Sequence, residues 1–183
     1  MESVEARRLT GDLNVEHGRA DPFAATRPLM AYRRPLRVLI VEDEALLAMQ
    51  LDVLLMDAGH EVVGWAMTAD EAMQIFHHAK PDLAFVDLQL GGGRTGIDVA
   101  REIRATNSSA TDGSVVVFVT ANANMLPEDF AGAIGVIDKP YSMQGIEAAL
   151  SYLHECIRTP PPCCAVPRSL TLAPAYRERW KVA

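Results

Sequence analysis

Pro81-Asp82-Leu83-Ala84-Phe85-Val86-Asp87 decides the fold: four apolar residues between a Pro-initiated break and a lone carboxylate. A run this short is a strand buried on both faces, too short for a helix. Two similar runs lie on either side of it. Arg37-Val38-Leu39-Ile40-Val41 precedes it, and Val115–Val119, β-branched and aromatic throughout, follows it. Glu61–Trp65 and Gly135–Ile137 are weaker strand candidates.

Helical patterns fill the gaps. Leu47, Leu51, Leu54 and Ala58 repeat at helical spacing, and Gly59 ends the run. Thr68-Ala69-Asp70-Glu71 reads as a capping box opening a helix with Ala72, Met73 and Phe76 on one side. Further helices are expected around Ile97, Ala100 and Ile103, weakly near Leu126–Ala131, and over Ser142–Glu155. Strand and helix alternate five times, which predicts a doubly wound five-stranded parallel α/β sheet with right-handed crossovers.

Outside this region the pattern fades. Residues 1–35 mix charges, Gly and Pro and are expected to be a flexible extension, with Met30 a candidate natural start. Residues 156–183, with Pro160-Pro161-Pro162, Pro167 and Pro174, are expected to be an extended or loosely ordered tail. That tail, short and Pro-rich, is expected to hold no output domain.

Charge narrows the function. The net charge is −7. Residues 37–155 alone sum to −12, whereas the tail from Cys156 is +4. An acidic globule disfavours DNA binding and suits a divalent cation or a basic partner. No apolar run approaches a membrane-spanning length, and no secretory signal is evident, so a cytoplasmic protein is expected. Cys156, Cys163 and Cys164 read as incidental thiols. His77-His78 point to different sides of their helix and make a poor metal pair.

In doubly wound sheets the working residues collect at the carboxyl ends of the strands. Past the first strand stand Glu42, Asp43 and Glu44; at the end of the third stands Asp87. Thr120 follows the fourth strand and Lys139-Pro140 the fifth. Clustered carboxylates need a cation, and hard oxygens suit Mg²⁺, with Mn²⁺ a substitute. A carboxylate can be a nucleophile, and a lysine and a hydroxyl can hold phosphoryl oxygens.

Val38–Glu44, Pro81–Asp87, Val119-Thr120-Ala121 and Lys139-Pro140-Tyr141, in this order, resemble the receiver domains of bacterial two-component response regulators over residues 36–155. The resemblance implies the flavodoxin-like fold with strand order 2-1-3-4-5. It implies Asp87 as phosphoacceptor for a sensor histidine kinase or a histidine phosphotransfer protein. Glu42, Asp43, Asp87 and the Gln89 backbone carbonyl would bind Mg²⁺. Thr120, Ala121 and Lys139 would bind the phosphoryl group, and Lys139-Pro140 is the candidate cis peptide. It further implies a phosphoprotein that assists its own phosphorylation without being a separate enzyme. Kinase docking would use the helix near Leu46–Asp57. A downstream protein, or a homodimer partner, would use the fourth helix, fifth strand and fifth helix, about Leu126–Leu153.

Three features depart from the family. Gly91 replaces the usual Pro four residues after the Asp, the next Gly falls one place late at Gly96, and Val136 replaces an aromatic residue in the fifth strand. The Gly91–Arg94 loop is therefore expected to be longer and mobile, and Val136 weakens the expected relay. The leading expectation is a stand-alone receiver working by controlled docking or phosphate relay. The alternative is a constitutive binding module with the same fold; a flavodoxin-like cofactor protein fits less well.

Overall fold

A computed structural model describes residues 34–106 and 113–180. The expected N-terminal extension before residue 34, Met30 with it, and the centre of the Thr106–Gly113 loop lie outside the described residues. The chain runs β1 (Arg37–Val41), α1 (Ala45–Asp57), β2 (Glu61–Ala66), α2 (Ala69–Ala79), β3 (Leu83–Val86), α3 (Gly96–Thr106), β4 (Val115–Thr120), β5 (Gly135–Asp138), α4 (Met143–Arg158), β6 (Thr171–Leu172) and α5 (Pro174–Arg179). The sheet order is β2-β1-β3-β4-β5-β6. The first five strands pair in parallel, in the anticipated order, and β6 pairs antiparallel with β5.

Alternating side chains divide the core. Val38, Ile40, Phe85, Val117, Val119 and Ile137 face α1 and α4. Leu39, Val41, Ala84, Val86, Phe118 and Val136 face α2 and α3. Every residue of β3 is buried, as expected of a central strand covered on both faces. The helix starts follow local chemistry. Thr68 Oγ1 accepts from the Glu71 N–H and Glu71 Oε2 accepts from the Met67 N–H, a reciprocal cap. Ser142 Oγ caps α4 by accepting from the Gly145 N–H.

The end of the sheet opposite the acidic rim is closed by polar contacts. Arg158 grips Asp82 with two nitrogens, Nη1–Oδ1 at 3.0 Å and Nη2–Oδ2 at 2.6 Å, and Nη2 also donates to the Pro35 carbonyl. The buried His60 Nδ1 accepts from the Leu36 N–H at 3.1 Å and stacks on His154, with centroids 6.1 Å apart.

Two expectations are corrected. No α-helix forms near Leu126–Ala131; two 3₁₀ turns, Ala123–Met125 and Phe130–Gly132, stand there instead. Pro127 and positive φ at Phe130, Ala131 and Gly132 leave no continuous helical turn. The tail beyond Arg158 is not loosely ordered. Leu170, Leu172 and Ala173 are buried, and Tyr176 and Trp180 pack against the α1/α4 core. Alternating Leu170-Thr171-Leu172 supplied the strand and Pro174 opened the helix, so the sheet has six strands. The anticipated contact face, Leu126–Leu153, thus lacks its α-helix and carries β6 along its strand edge. Among the described residues no helix is long and apolar enough to cross a membrane.

Candidate phosphoacceptor site

Parallel pairing sets the ends of β1, β3, β4 and β5 on one rim. The Asp87 N–H donates to the Val41 carbonyl, and the Lys139 N–H donates to the Thr120 carbonyl, both at 2.9 Å. These bonds carry the ladders one residue beyond the strands and fix where the functional side chains emerge. The Lys139–Pro140 peptide is cis, as is Pro160–Pro161.

Lys139 is the hub. Its Nζ donates to Asp87 Oδ2 and to Glu42 Oε2, each at 2.6 Å. All three side chains are nearly buried, at 13%, 12% and 7% exposure, so solvent screens the triad weakly. Burial pushes the Glu42 carboxyl above its ordinary value, and the Lys139 hydrogen bond and charge only partly restore it. Burial opposes the Lys139 charge, but bonds to Asp87 and Glu42 outweigh it and raise the lysine pKa.

Asp87 Oδ1 accepts from the Leu88 N–H at 2.6 Å and, at 3.5 Å, from the Gln89 N–H. Thr120 is fully buried at the end of β4, and its Oγ1 accepts from the Asn122 N–H, leaving its own proton to donate. Asp43 is half-buried and Ala121 exposed on the same rim. Among the described residues no three acidic, His or Cys side chains are gathered around one point. An ammonium lies between Glu42 and Asp87 instead.

That arrangement still fits a hard divalent cation. Glu42 Oε1 is buried with no hydrogen-bond partner, an uncompensated carboxylate oxygen. A hard carboxylate oxygen of this kind suits Mg²⁺.

Two supports were not read from sequence. A Cβ on Gly96 would stand 1.9 Å from the Asp87 carbonyl oxygen and 2.8 Å from Val86 Cγ1, so α3 starts directly against the Asp87 backbone. The Gly96 N–H donates to the Leu88 carbonyl at 3.0 Å. The displaced glycine is the sequence signal for this close approach. The Gly91–Arg94 loop is also tied at both sides: Arg94 bonds Asp70 at 2.7 Å and Glu102 at 2.5 Å, and Gly91 bridges to Thr68. Val136 is buried in the α2/α3 core, and Tyr141, past the cis peptide, is half-buried against the other.

Residues 38–151 match the family model described as the response regulator receiver domain. The chain belongs to that family. It is 38% identical over 127 residues to the transcriptional regulatory protein PdtaR of Mycobacterium tuberculosis, covering 66% of this chain and 60% of PdtaR. It is 34% identical over 120 residues to the phyllosphere-induced regulator PhyR of Methylorubrum extorquens, covering 62% of this chain and 42% of that one. The chain thus spans less than two thirds of either relative. Among solved structures, the receiver domain of Erythrobacter litoralis PhyR superposes with TM-score 0.56 at 27% identity, covering 72% of this chain and 97% of that domain. The anti-anti-sigma factor PhyR from Bartonella quintana gives TM-score 0.52 at 29% identity, covering 64% and 46%. The doubly wound parallel sheet read from the strand pattern, and the receiver fold that the motifs resembled, are this protein's fold.

Proposed function

We propose that this receiver accepts a phosphoryl group on Asp87 from a histidine kinase or histidine phosphotransfer protein, and signals by docking a protein partner or by passing the phosphoryl group on. The observation that carries the reading is the Lys139 ammonium held at 2.6 Å from both Asp87 and Glu42, beside an orphaned Glu42 oxygen. Glu42, Asp43, Asp87 and the Gln89 carbonyl are the residues that would hold Mg²⁺. Bound there, the ion would offset the negative charge of phosphoryl oxygens.

The chain's own contribution is then as follows. An Asp87 carboxylate oxygen attacks phosphorus as the phosphorus–nitrogen bond of phosphohistidine breaks, giving an acyl phosphate and a neutral imidazole after protonation. The Leu88 N–H holds Oδ1 and fixes the carboxylate's orientation. Lys139 leaves Glu42 to follow the new charge, and the Thr120 hydroxyl donates to a phosphoryl oxygen.

Kinase docking fits the outer face of α1. Leu46, Met49, Val53 and Met56 form an exposed apolar stripe at helical spacing, and Leu46 is 81% exposed. Its first turn adjoins the Glu42–Glu44 rim, and Asp52 and Asp57 border it, which favours a partner with basic residues around an apolar centre. The likeness to the Bartonella anti-anti-sigma factor PhyR favours a protein, rather than DNA, as the downstream partner.

Incubation with acetyl phosphate and Mg²⁺ followed by intact-mass measurement tests the reading. A single phosphoryl adduct is expected in the native protein and none in Asp87→Ala. Absence of an adduct with acetyl phosphate and with histidine kinases would favour a constitutive binding module.

A further inference from the structure

Residues 169–180 form a strap across β5 and α4 that the rim chemistry does not use. Leu172 and Thr171 pair with Gly135 and Val136, and the Ala173 N–H donates to the Ile134 carbonyl at 2.8 Å. Ser169 Oγ donates to the Gly145 carbonyl at 2.7 Å, so the strap also grips the first turn of α4. Trp180 meets Tyr152 of α4 edge-on, with centroids 6.4 Å apart, and Tyr176 at 5.0 Å. Glu155 Oε2 accepts from the Cys163 and Cys164 N–H groups and turns the chain back toward β5.

The seat is shaped for this visitor. A Cβ on Gly135 would lie 2.5 Å from Thr171 O and 3.2 Å from Leu170 Cδ1, and its three nearest atoms all belong to the strap. Glycine in a strand interior weakens the strand, and here the missing side chain admits another backbone. The hold is concentrated in a few residues. The β6 ladder covers two residues and α5 has no buried residue, so Leu170, Leu172 and Ala173 carry most of the attachment. A segment anchored at so few positions opens at lower cost than the core. An uncovered β5 edge would present free backbone N–H and C=O groups, a template for an added strand.

We propose that the β5 edge and the adjoining face of α4 form a strand-accepting docking surface, with the chain's own strap as its resident, displaceable occupant. The partner it fits carries an extended segment with two apolar residues at i and i+2, followed by a short helix bearing an aromatic residue. Leu170, Leu172 and Trp180 display that pattern. Binding by strand addition uses main-chain hydrogen bonds for affinity and the two leucine pockets for selectivity.

A fluorescent peptide spanning Val166–Trp180 serves as the probe, with anisotropy as the readout, on full-length protein. In Leu172→Asp the resident strap loses its central anchor, and the peptide is expected to bind at least ~10-fold more tightly than to the native chain. Adding Gly135→Val should abolish that binding, because the new side chain fills the space of Thr171. Leu172→Ala is the milder variant if the charged one does not fold. Hydrogen exchange should show the Ala173 amide, bonded to the Ile134 carbonyl in the native chain, released in either variant. Equal peptide affinity for all forms would overturn the proposal. So would absent binding in a variant whose strap amides are released, or strap amides as protected as β3 in every variant that folds.

Discussion

Replacing Gly96 with alanine tests how tightly the strand ending at Asp87 is braced. Helix propensity alone predicts a gain, since alanine exceeds glycine by up to about 1 kcal/mol within a helix. The structure predicts the opposite sign. The new methyl group would stand 1.9 Å from the Asp87 carbonyl oxygen and 2.9 Å from its carbonyl carbon, whereas ordinary contact begins near 3.4 Å. The start of α3 and the Asp87–Leu88 backbone must separate by more than an ångström, because neither obstacle is the end of a flexible side chain. Overpacking of this kind costs about 1–3 kcal/mol. Weakening the Gly96–Leu88 hydrogen bond adds ~1 kcal/mol. Set against the propensity gain, net destabilisation of ~1–3 kcal/mol follows, together with slower phosphoryl uptake because Asp87 is displaced. With a urea slope of ~2 kcal/mol per molar, the unfolding midpoint falls by roughly 1 M. A variant as stable as the native chain, with unchanged uptake from acetyl phosphate, would refute the bracing role of Gly96.

Leu46→Glu and Val53→Asp on the exposed face of α1 should leave uptake from acetyl phosphate unchanged and reduce transfer from a cognate kinase about 10-fold or more, measured by radiolabel transfer. His60 is held down to about 4 by burial, with His154 and Arg158 contributing. The unfolded chain therefore binds the extra proton first, and stability falls as pH drops from 6.5 toward 4, by at most ~3 kcal/mol. His60→Asn keeps an acceptor for the Leu36 N–H and should flatten that acid limb in urea titrations at stepped pH. Burial pushes the Cys156 thiol up to about 12, whereas Cys163 and Cys164 are exposed. A thiol reagent at pH 8 should label two cysteines in the folded protein and the third only after unfolding. Lys139→Ala leaves two nearly buried carboxylates facing each other and should destabilise the protein by about 3 kcal/mol at pH 7, and by less as the pH falls, because burial already favours the protonated Glu42 carboxyl.

The five parallel strands were legible because each is a short apolar run ending at a polar residue, and burial on both faces leaves little freedom in composition. Leu83–Val86 is the clearest case. Lys139, Asp87 and Glu42 were legible as rim residues for the same reason, since a strand's end fixes where its next side chain emerges. What the sequence hid depends on contacts between distant segments. The value of Gly96 rests on its approach to Asp87, and no local pattern records that distance. The prolines of the tail suggested loose chain, yet Leu170 and Leu172 needed only an open strand edge and a glycine at 135 to fold against it. The reverse happened at Leu126–Ala131, where a plausible helical pattern yields to Pro127 and three left-handed residues.

Chemical trapping of the acyl phosphate tests phosphorylation of Asp87 most directly. Borohydride reduces a phosphorylated aspartate to homoserine, so protein treated with acetyl phosphate and Mg²⁺, reduced and digested, reports the modified position by peptide mass spectrometry. Homoserine is expected at position 87, dependent on Mg²⁺ and lost when Lys139 is replaced. Homoserine at Asp43 or elsewhere on the rim, or no reduction product from protein shown to be folded, would contradict it.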